Sequence, residues 1–122
     1  MTQLPAAIVD SHHHLWDLKR ISYPWLGEAY DASTFILGEY RPLCQNFMPD
    51  DFRSAWSGMP VVASVHIEAE CDRRQALEET KWVHEQARLS GLPHAVVAHV
   101  DLLAPDADER LAEHVTYPLV RS

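Results

Sequence analysis

The sequence predicts an α/β fold in which parallel strands alternate with helices. Short apolar runs rich in β-branched residues recur at residues 6–9, 61–69 and 94–102. Continuous apolarity over so few residues is typical of strands buried in a parallel sheet. Stretches with helical periodicity separate these runs, at residues 48–56 and 73–90, and another begins at residue 106. Each apolar run ends in polar side chains, so polar groups should collect at one edge of the sheet.

Composition limits the kind of protein this can be. The chain has 122 residues, of which 47% are hydrophobic, so it can form one modest globular domain. Its net charge of −8, from 18 acidic and 10 basic residues, would repel a phosphate backbone, and we expect no nucleic-acid partner. No run approaches the roughly 20 apolar residues that cross a bilayer, and no membrane partner is expected. Cys44 and Cys71 have no paired spacing, which favours a reducing cytoplasm.

Three consecutive histidines follow the first predicted strand. Because successive strand side chains point to opposite faces, Asp10, His12 and His14 should share one face, and Ser11 and His13 the other. Two imidazoles spaced in this way can converge on one divalent ion, and zinc binds histidine nitrogens at roughly 2.0–2.1 Å. The alternative is a polar strand end with exposed histidines, because this short pattern also arises by chance.

Residues 15–47 are predicted to form a long loop without regular periodicity. Loops of this length inside a compact domain are uncommon and often cover a binding site. This loop is rich in aromatic residues, namely Trp16, Tyr23, Trp25, Tyr30, Phe35 and Tyr40. The alternative is that their rings fill a small satellite core beneath the loop.

The middle of the chain predicts a short helix, a strand and a long helix. Residues 48–56 form the short helix, and residues 61–69 the strand, on which His66 and Glu68 share a face and could join the first histidines in one pocket. A buried carboxylate or imidazole is costly unless it is paired. The long helix covers residues 73–90, with Asp72 and Gln75 resembling a capping box and Gly91 ending it.

The last third of the chain repeats the pattern. Residues 94–102 predict a third strand, with His99 and Asp101 on one face. From Asp106 a helix is expected whose apolar positions, residues 107, 111 and 115, recur every four residues. Residues 119–121 indicate the start of a fourth strand.

This alternation fits either an open doubly wound sheet or a closed (β/α)8 barrel. The histidines occupy the place of a Gly-rich phosphate loop, which favours the barrel. Barrel enzymes carry their catalytic groups at the carboxyl ends of the strands, and a complete barrel takes about 250 residues. The sequence therefore predicts the N-terminal portion of an incomplete TIM barrel of three to four strands. Its candidate site residues are His12, His14, His66, Glu68, His99 and Asp101.

Several stretches resemble the amidohydrolase-related family. They are residues 9–17 (VDSHHHLWD), 23–26 (YPWL), 65–70 (VHIEAE), 91–99 (GLPHAVVAH) and 114–121. The resemblance covers nearly the whole chain. It is to the branch of metal-dependent TIM-barrel hydrolases that contains fuconolactone, sulfomuconolactone and pyrone-dicarboxylate lactonases.

The resemblance implies roles for particular residues. His12 and His14 would be metal ligands, and His13 would occupy the variable middle position. The implied reaction is hydrolysis of a lactone by water activated on a divalent ion, usually zinc. Further ligands and the catalytic base would come from later strands, beyond Ser122, and some relatives work without metal. Apart from the resemblance, the predicted positions at the strand ends make His66, Glu68, His99 and Asp101 candidates for substrate contacts, together with Trp25. The alternative is that Glu68, His99 and Asp101 only pair with neighbouring side chains.

In this branch Arg121 leads into a Gly-Ile-Arg continuation, so the sequence suggests a truncated, catalytically deficient chain. Its open strand edges predict a homo-oligomer or aggregation. One alternative is a decarboxylase of the same wider family acting on a carboxylated ring. Another is a non-catalytic zinc-binding module, using His12, His14 and His66, or a decayed remnant.

Overall fold

The computed structural model describes residue 3 and residues 5–122. They form one three-stranded parallel sheet, in the order β1–β2–β3, with helices between the strands. The strands are β1 (Ile8–His13), β2 (Val61–Ile67) and β3 (Ala95–Val97), and the helices are α1 (Pro49–Ala55), α2 (Ala76–Ser90) and α3 (Ala107–His114). Within these described residues, no helix is both long and apolar enough to span a bilayer.

Residues 119–122 extend the sheet beside β3. The Val96 N–H donates to the Leu119 carbonyl at 2.8 Å, and the Arg121 N–H donates to the Val96 carbonyl at 2.9 Å. Val96 and Val120 form a parallel bridge. The predicted start of a fourth strand is therefore confirmed, and each strand lies next to its successor in sequence, as in a (β/α)8 barrel.

The two faces of β2 are covered unequally. Ser64 and His66 are buried, whereas Val65 and Ile67 on the other face are only half-buried. The expectation of a strand buried on both sides is thus wrong for this structure. The face that packs against the helices carries the polar side chains, and the apolar face has little above it.

The alternation predicted along β1 also fails. Asp10 pairs with Ser64 and His13 pairs with His66, so three residues of β1 span two of β2. Such a bulge breaks the two-residue period of a strand. Asp10 and His13 therefore oppose residues of the same face of β2, contrary to the prediction that they point apart.

Helix α2 begins after a short 3-10 turn and ends where the sequence predicted. The Asp72 carboxylate accepts the Arg74 N–H at 2.9 Å. Gln75 completes no capping box, because its side-chain oxygen instead accepts the Ser22 N–H at 2.8 Å and holds the loop after β1. Gly91 ends the helix with φ +81°.

The end of the chain differs most from expectation. Strand β3 is only three residues long, and His99 and Asp101 lie in the loop beyond it rather than on one strand face. In α3 the inward side chain is His114, 2% exposed, while Leu111 is 42% and Val115 68% exposed. His114 Nδ1 lies 3.0 Å from the Thr80 hydroxyl, so a polar partner makes its burial tolerable.

Candidate active site

His12 and His14 lie side by side where β1 ends. Their ring centroids are 5.1 Å apart, edge to face. His14 Nδ1 lies 2.8 Å from the Ile67 carbonyl oxygen. Because a carbonyl only accepts, the proton of neutral His14 sits on Nδ1, and Nε2 is left as the nitrogen with a free lone pair. His12 is exposed, and its backbone N–H donates to Asp10 Oδ1 at 3.0 Å.

The aromatic loop folds over this end of the sheet. Trp16 and Phe47 exchange backbone hydrogen bonds of 3.0 Å in each direction, which closes the loop at its base. Above them the Tyr40 hydroxyl donates to the Trp25 carbonyl at 2.8 Å. Tyr40 also packs against Phe35, with ring centroids 4.3 Å apart. The rings therefore build a small core of their own and at the same time fix Trp25.

A cavity of about 570 Å³ lies between this loop and the end of β2. It brings together His14, Trp25 and Glu68 among the predicted site residues. Its other walls are mostly apolar and include Phe35 and Leu37. A concave, apolar pocket with a few polar groups is the usual form of a small-molecule site.

The last residues of β2 and the turn after it, residues 67–70, hold the cavity walls in place. The Ile67 carbonyl binds His14, and two residues later the Ala69 carbonyl accepts Trp25 Nε1–H at 2.9 Å. Glu68 Oε2 accepts the Glu70 N–H at 2.7 Å, and Glu70 has a positive φ of 52°. One carboxylate oxygen of Glu68 is thus engaged in shaping the turn.

His99 and Asp101 lie further from the histidine pair. A second cavity, of about 610 Å³, is lined by Trp25, Glu68 and His99. A third, of about 310 Å³, is lined by His99 and Asp101, and Asp101 pairs with Arg73 at 3.3 Å. Trp25 and Glu68 therefore border both of the larger cavities, and neither His99 nor Asp101 lines the one that contains His14.

Comparison with known proteins finds relatives that align with most of this chain. No protein-family model matches the chain. The uncharacterized protein y4mH of Sinorhizobium fredii is 35% identical over 91% of this chain and 37% of its own length. An L-fucono-1,5-lactonase of Burkholderia multivorans is 28% identical over 86% of the chain and 31% of its own length.

A crystal structure of an amidohydrolase from Burkholderia multivorans with bound zinc superimposes with a TM-score of 0.57. It is 29% identical and matches 86% of this chain and 32% of the crystallised one. The chain is homologous to part of an amidohydrolase. The expected resemblance and the expected fold, part of a TIM barrel, are therefore confirmed. The chain spans about a third of the length of each of these three relatives.

His66 lines none of the three cavities described above. It is 1% exposed, and its Nδ1 accepts the Leu15 N–H at 3.1 Å. Burial, and next the neighbouring His13 and His14, lower the pKa of His66 to about 3. His66 and Glu68 do not meet in one pocket, because β2 ends at Ile67 and Glu68 lies in the turn beyond it. We therefore leave His66 out of the site proposed below.

Sequence reasoning missed Glu79, whose side chain binds the backbone of Ala69 in the cavity wall. This residue of α2 is 3% exposed, and its Oε2 accepts the Ala69 N–H at 3.2 Å. Burial raises the pKa of Glu79 to about 7. A signal was present in the sequence, because Glu79 stands three and four residues before Trp82 and Val83 and so shares their buried face.

The donors present fit part of a zinc site. Across residue 3 and residues 5–122, no group of three or more His, Cys, Asp or Glu side chains is arranged to hold a metal ion. His12 and His14 supply two imidazoles, and a backbone carbonyl fixes the tautomer of His14 in the way that is usual for zinc ligands. A complete catalytic zinc site takes three protein ligands, so at least one further ligand has to come from elsewhere.

Proposed function

We propose that these residues form the first part of the active site of a divalent-metal-dependent hydrolase that opens lactones. The observation that carries the proposal is the paired arrangement of His12 and His14, with the His14 ring fixed by the Ile67 carbonyl. Two relatives support the chemistry, since one is named a lactonase and the other contains zinc. The substrate we infer is therefore a small molecule, and the metal zinc or a similar ion.

The histidine pair and three residues that line the cavity have distinct parts in this proposal. His12 and His14 hold the metal, which when bound polarises an ester carbonyl and lowers the pKa of a coordinated water. Trp25 and Phe35 cover the site, exclude bulk water and pack against the apolar face of the substrate ring. Glu68 Oε1 accepts a hydrogen bond from a substrate hydroxyl, because Oε2 is already engaged by Glu70.

His99 and Asp101 belong to the outer part of the proposed site. His99 lines the second cavity together with Trp25 and Glu68, so it can contact a substrate long enough to extend past the indole. Asp101 lies beyond His99 and is paired with Arg73, so we assign it to orienting that arginine rather than to the reacting atoms.

The proposal predicts that the 122-residue chain binds zinc through its histidine pair but does not turn over a lactone. We expect His12→Ala and His14→Ala each to weaken zinc binding by about tenfold or more, measured by calorimetric titration, because each removes one of two imidazoles. The matched control is His94→Asn, which removes an exposed imidazole far along the chain but keeps an acceptor for the Ser64 N–H that His94 Nδ1 binds at 3.3 Å, and it should leave zinc affinity unchanged.

Turnover is measured in the same preparations by two assays. Hydrolysis of a sugar 1,5-lactone is followed by acid release in a pH-stat, and decarboxylation of an aromatic carboxylate is followed by CO₂ release. Equal zinc affinity of the unmodified protein, the two variants of the histidine pair and the control would overturn the assignment of the metal ligands. Lactone hydrolysis that a chelator abolishes would support the proposed metal-dependent hydrolase, but it would contradict the prediction that these 122 residues do not turn over a lactone. Release of CO₂ from the aromatic carboxylate without hydrolysis of the lactone would favour a decarboxylase.

A further inference from the structure

The buried carboxylate of Glu79 is connected to the cavity through a single backbone residue. Its Oε2 accepts the Ala69 N–H at 3.2 Å, and the Ala69 carbonyl accepts Trp25 Nε1–H at 2.9 Å. Ala69 is itself buried, at 4% exposure, so neither of its backbone groups has ready access to water. A buried amide without a hydrogen-bond partner is unfavourable, so the Glu79 carboxylate stabilises the Ala69 backbone in this position.

The same turn also supports the histidine pair. Ile67, two residues before Ala69, holds the His14 ring through its carbonyl. A shift of the Ala69 backbone would move the Trp25 indole directly, and it would disturb His14 through the intervening Glu68. Glu79 lies on α2, a helix of 15 residues, and so anchors the turn to a rigid element.

We propose that Glu79 is a positioning residue, which fixes the turn after β2 and, through Ala69, sets the Trp25 indole over the cavity. This inference rests on the proposed function only in taking the Trp25 wall to be the substrate surface. A buried carboxylate with a merely structural role would affect global stability, but it would not act selectively on Trp25.

The groups that face Glu79 come from two loops. Tyr23 approaches from the loop after β1, and Glu68 and Cys71 approach from the turn after β2. Burial raises the pKa of Glu79 most, and charge repulsion from Glu68 raises it further, whereas the hydrogen bond from the Ala69 N–H and the nearby Tyr23 hydroxyl lower it. Glu79 in turn raises the pKa of Tyr23 and of Cys71. The carboxyl therefore changes charge within an accessible pH range, where its effect on Ala69 can be followed.

The test uses hydrogen exchange of the indole N–H groups in the full chain, measured by ¹⁵N NMR. The Trp25 signal is assigned by its loss in Trp25→Phe. Trp16 serves as an internal reference, because its Nε1–H donates to the Gln45 carbonyl at 2.6 Å, away from Glu79. In Glu79→Leu, which has no acceptor, we expect Trp25 to exchange at least about tenfold faster while Trp16 changes less than about twofold.

The conservative variant Glu79→Gln should rescue most of the protection, because its amide oxygen can still accept the Ala69 N–H. Equal acceleration of Trp25 and Trp16 in Glu79→Leu, or no acceleration of either, would overturn the proposal.

A titration of the unmodified protein decides the matter if Glu79→Leu does not fold. The Glu79 carboxyl carbon, the Ala69 amide and the Trp25 indole should titrate with one shared midpoint, near pH 7. The Glu68 carboxyl carbon is observed in the same spectra, so that changes at this neighbouring carboxyl are distinguished from those at Glu79. Ala69 and Trp25 signals that stay constant while Glu79 ionises would contradict the inference. Neither measurement uses metal or substrate, so a failure here leaves the hydrolase proposal to its own test.

Discussion

Two neutral imidazoles form the polar centre of the face of the sheet that packs against the helices. His13 Nε2 lies 3.0 Å from the Ser64 hydroxyl, and its ring stacks on Phe52 with centroids 4.0 Å apart. Burial lowers the pKa of His13 to about 4 and that of His66 to about 3. Both rings are therefore uncharged at pH 7, and charging either one inside the fold is unfavourable.

The sign of the resulting pH dependence follows from proton linkage. An unfolded histidine takes up a proton below its ordinary pKa of about 6.5, whereas folded His13 and His66 do not. Their stabilising contribution is complete above pH 6.5 and is lost as the pH falls towards 4. Glu79 acts in the opposite direction, because its raised pKa lets the folded state hold a proton between about 4.5 and 7.

We predict that His66→Asn flattens the pH dependence of stability. The asparagine oxygen can replace Nδ1 as acceptor for the Leu15 N–H, but it takes up no proton on unfolding. Between pH 4.5 and 6.5 the slope of the unfolding free energy should fall by up to about 1.4 kcal/mol per pH unit. Urea denaturation at several pH values measures it. His94→Asn is the control, because His94 is exposed and the asparagine oxygen can likewise replace its Nδ1 as acceptor for the Ser64 N–H. An unchanged slope in His66→Asn would refute the assignment.

Among the elements, α2 follows its sequence signals most closely. The helix is amphipathic, buries Trp82 and Val83, and stops at a glycine in the left-handed region. Local backbone preferences and a long apolar stripe point to the same structure there, which is why the sequence was sufficient.

Substitution of that terminal glycine tests this interpretation. We expect Gly91→Ala to lower the free energy of unfolding by about 1 kcal/mol, because alanine is strained at φ +81°. Gly91→Asn should lose less, since asparagine tolerates the left-handed region better. Chemical denaturation compares the two. Equal stability of the alanine variant and the original protein would show that the glycine is not needed for its conformation.

Helix α3 and β3 show where local signals are insufficient. The apolar positions of α3 suggested an inward stripe, yet Leu111 and Val115 border an open groove with Ala98 and Val120. The position of a helix on a sheet depends on its neighbours, and here the Thr80 hydroxyl provides a site for His114. Periodicity identifies which residues share a face, but it does not say which face turns inward.

At the scale of the whole molecule, the apolar face of the sheet has little covering it. Val9, on the edge strand β1, is 59% exposed and pairs with Ala63, whose neighbours Val65 and Ile67 on the same face are half-buried. In a closed barrel this face would be the packed interior. Exposed strand edges beside an apolar surface favour self-association.

We therefore predict that the chain self-associates and that Val9→Lys weakens the association by about tenfold or more, because a charge on the apolar face opposes its burial. Val62→Lys is the matched control, since Val62 is 56% exposed but lies on the other face of the sheet. Sedimentation over a range of concentrations measures both. Association that is unaffected by Val9→Lys would exclude this face as the contact.

The sequence by itself determined the order of strands and helices, the segment between Asp72 and Gly91 that contains α2, and the placement of the histidines at a strand end. Those features follow from short-range periodicity and from the Asp72 and Gly91 signals. Only the tertiary structure decided that a bulge in β1 turns Asp10 and His13 to one side, that His66 is buried away from the cavity, and that Glu79 supports Ala69. The reason is that register, burial and long-range hydrogen bonds depend on residues far apart in the chain, which local patterns do not specify.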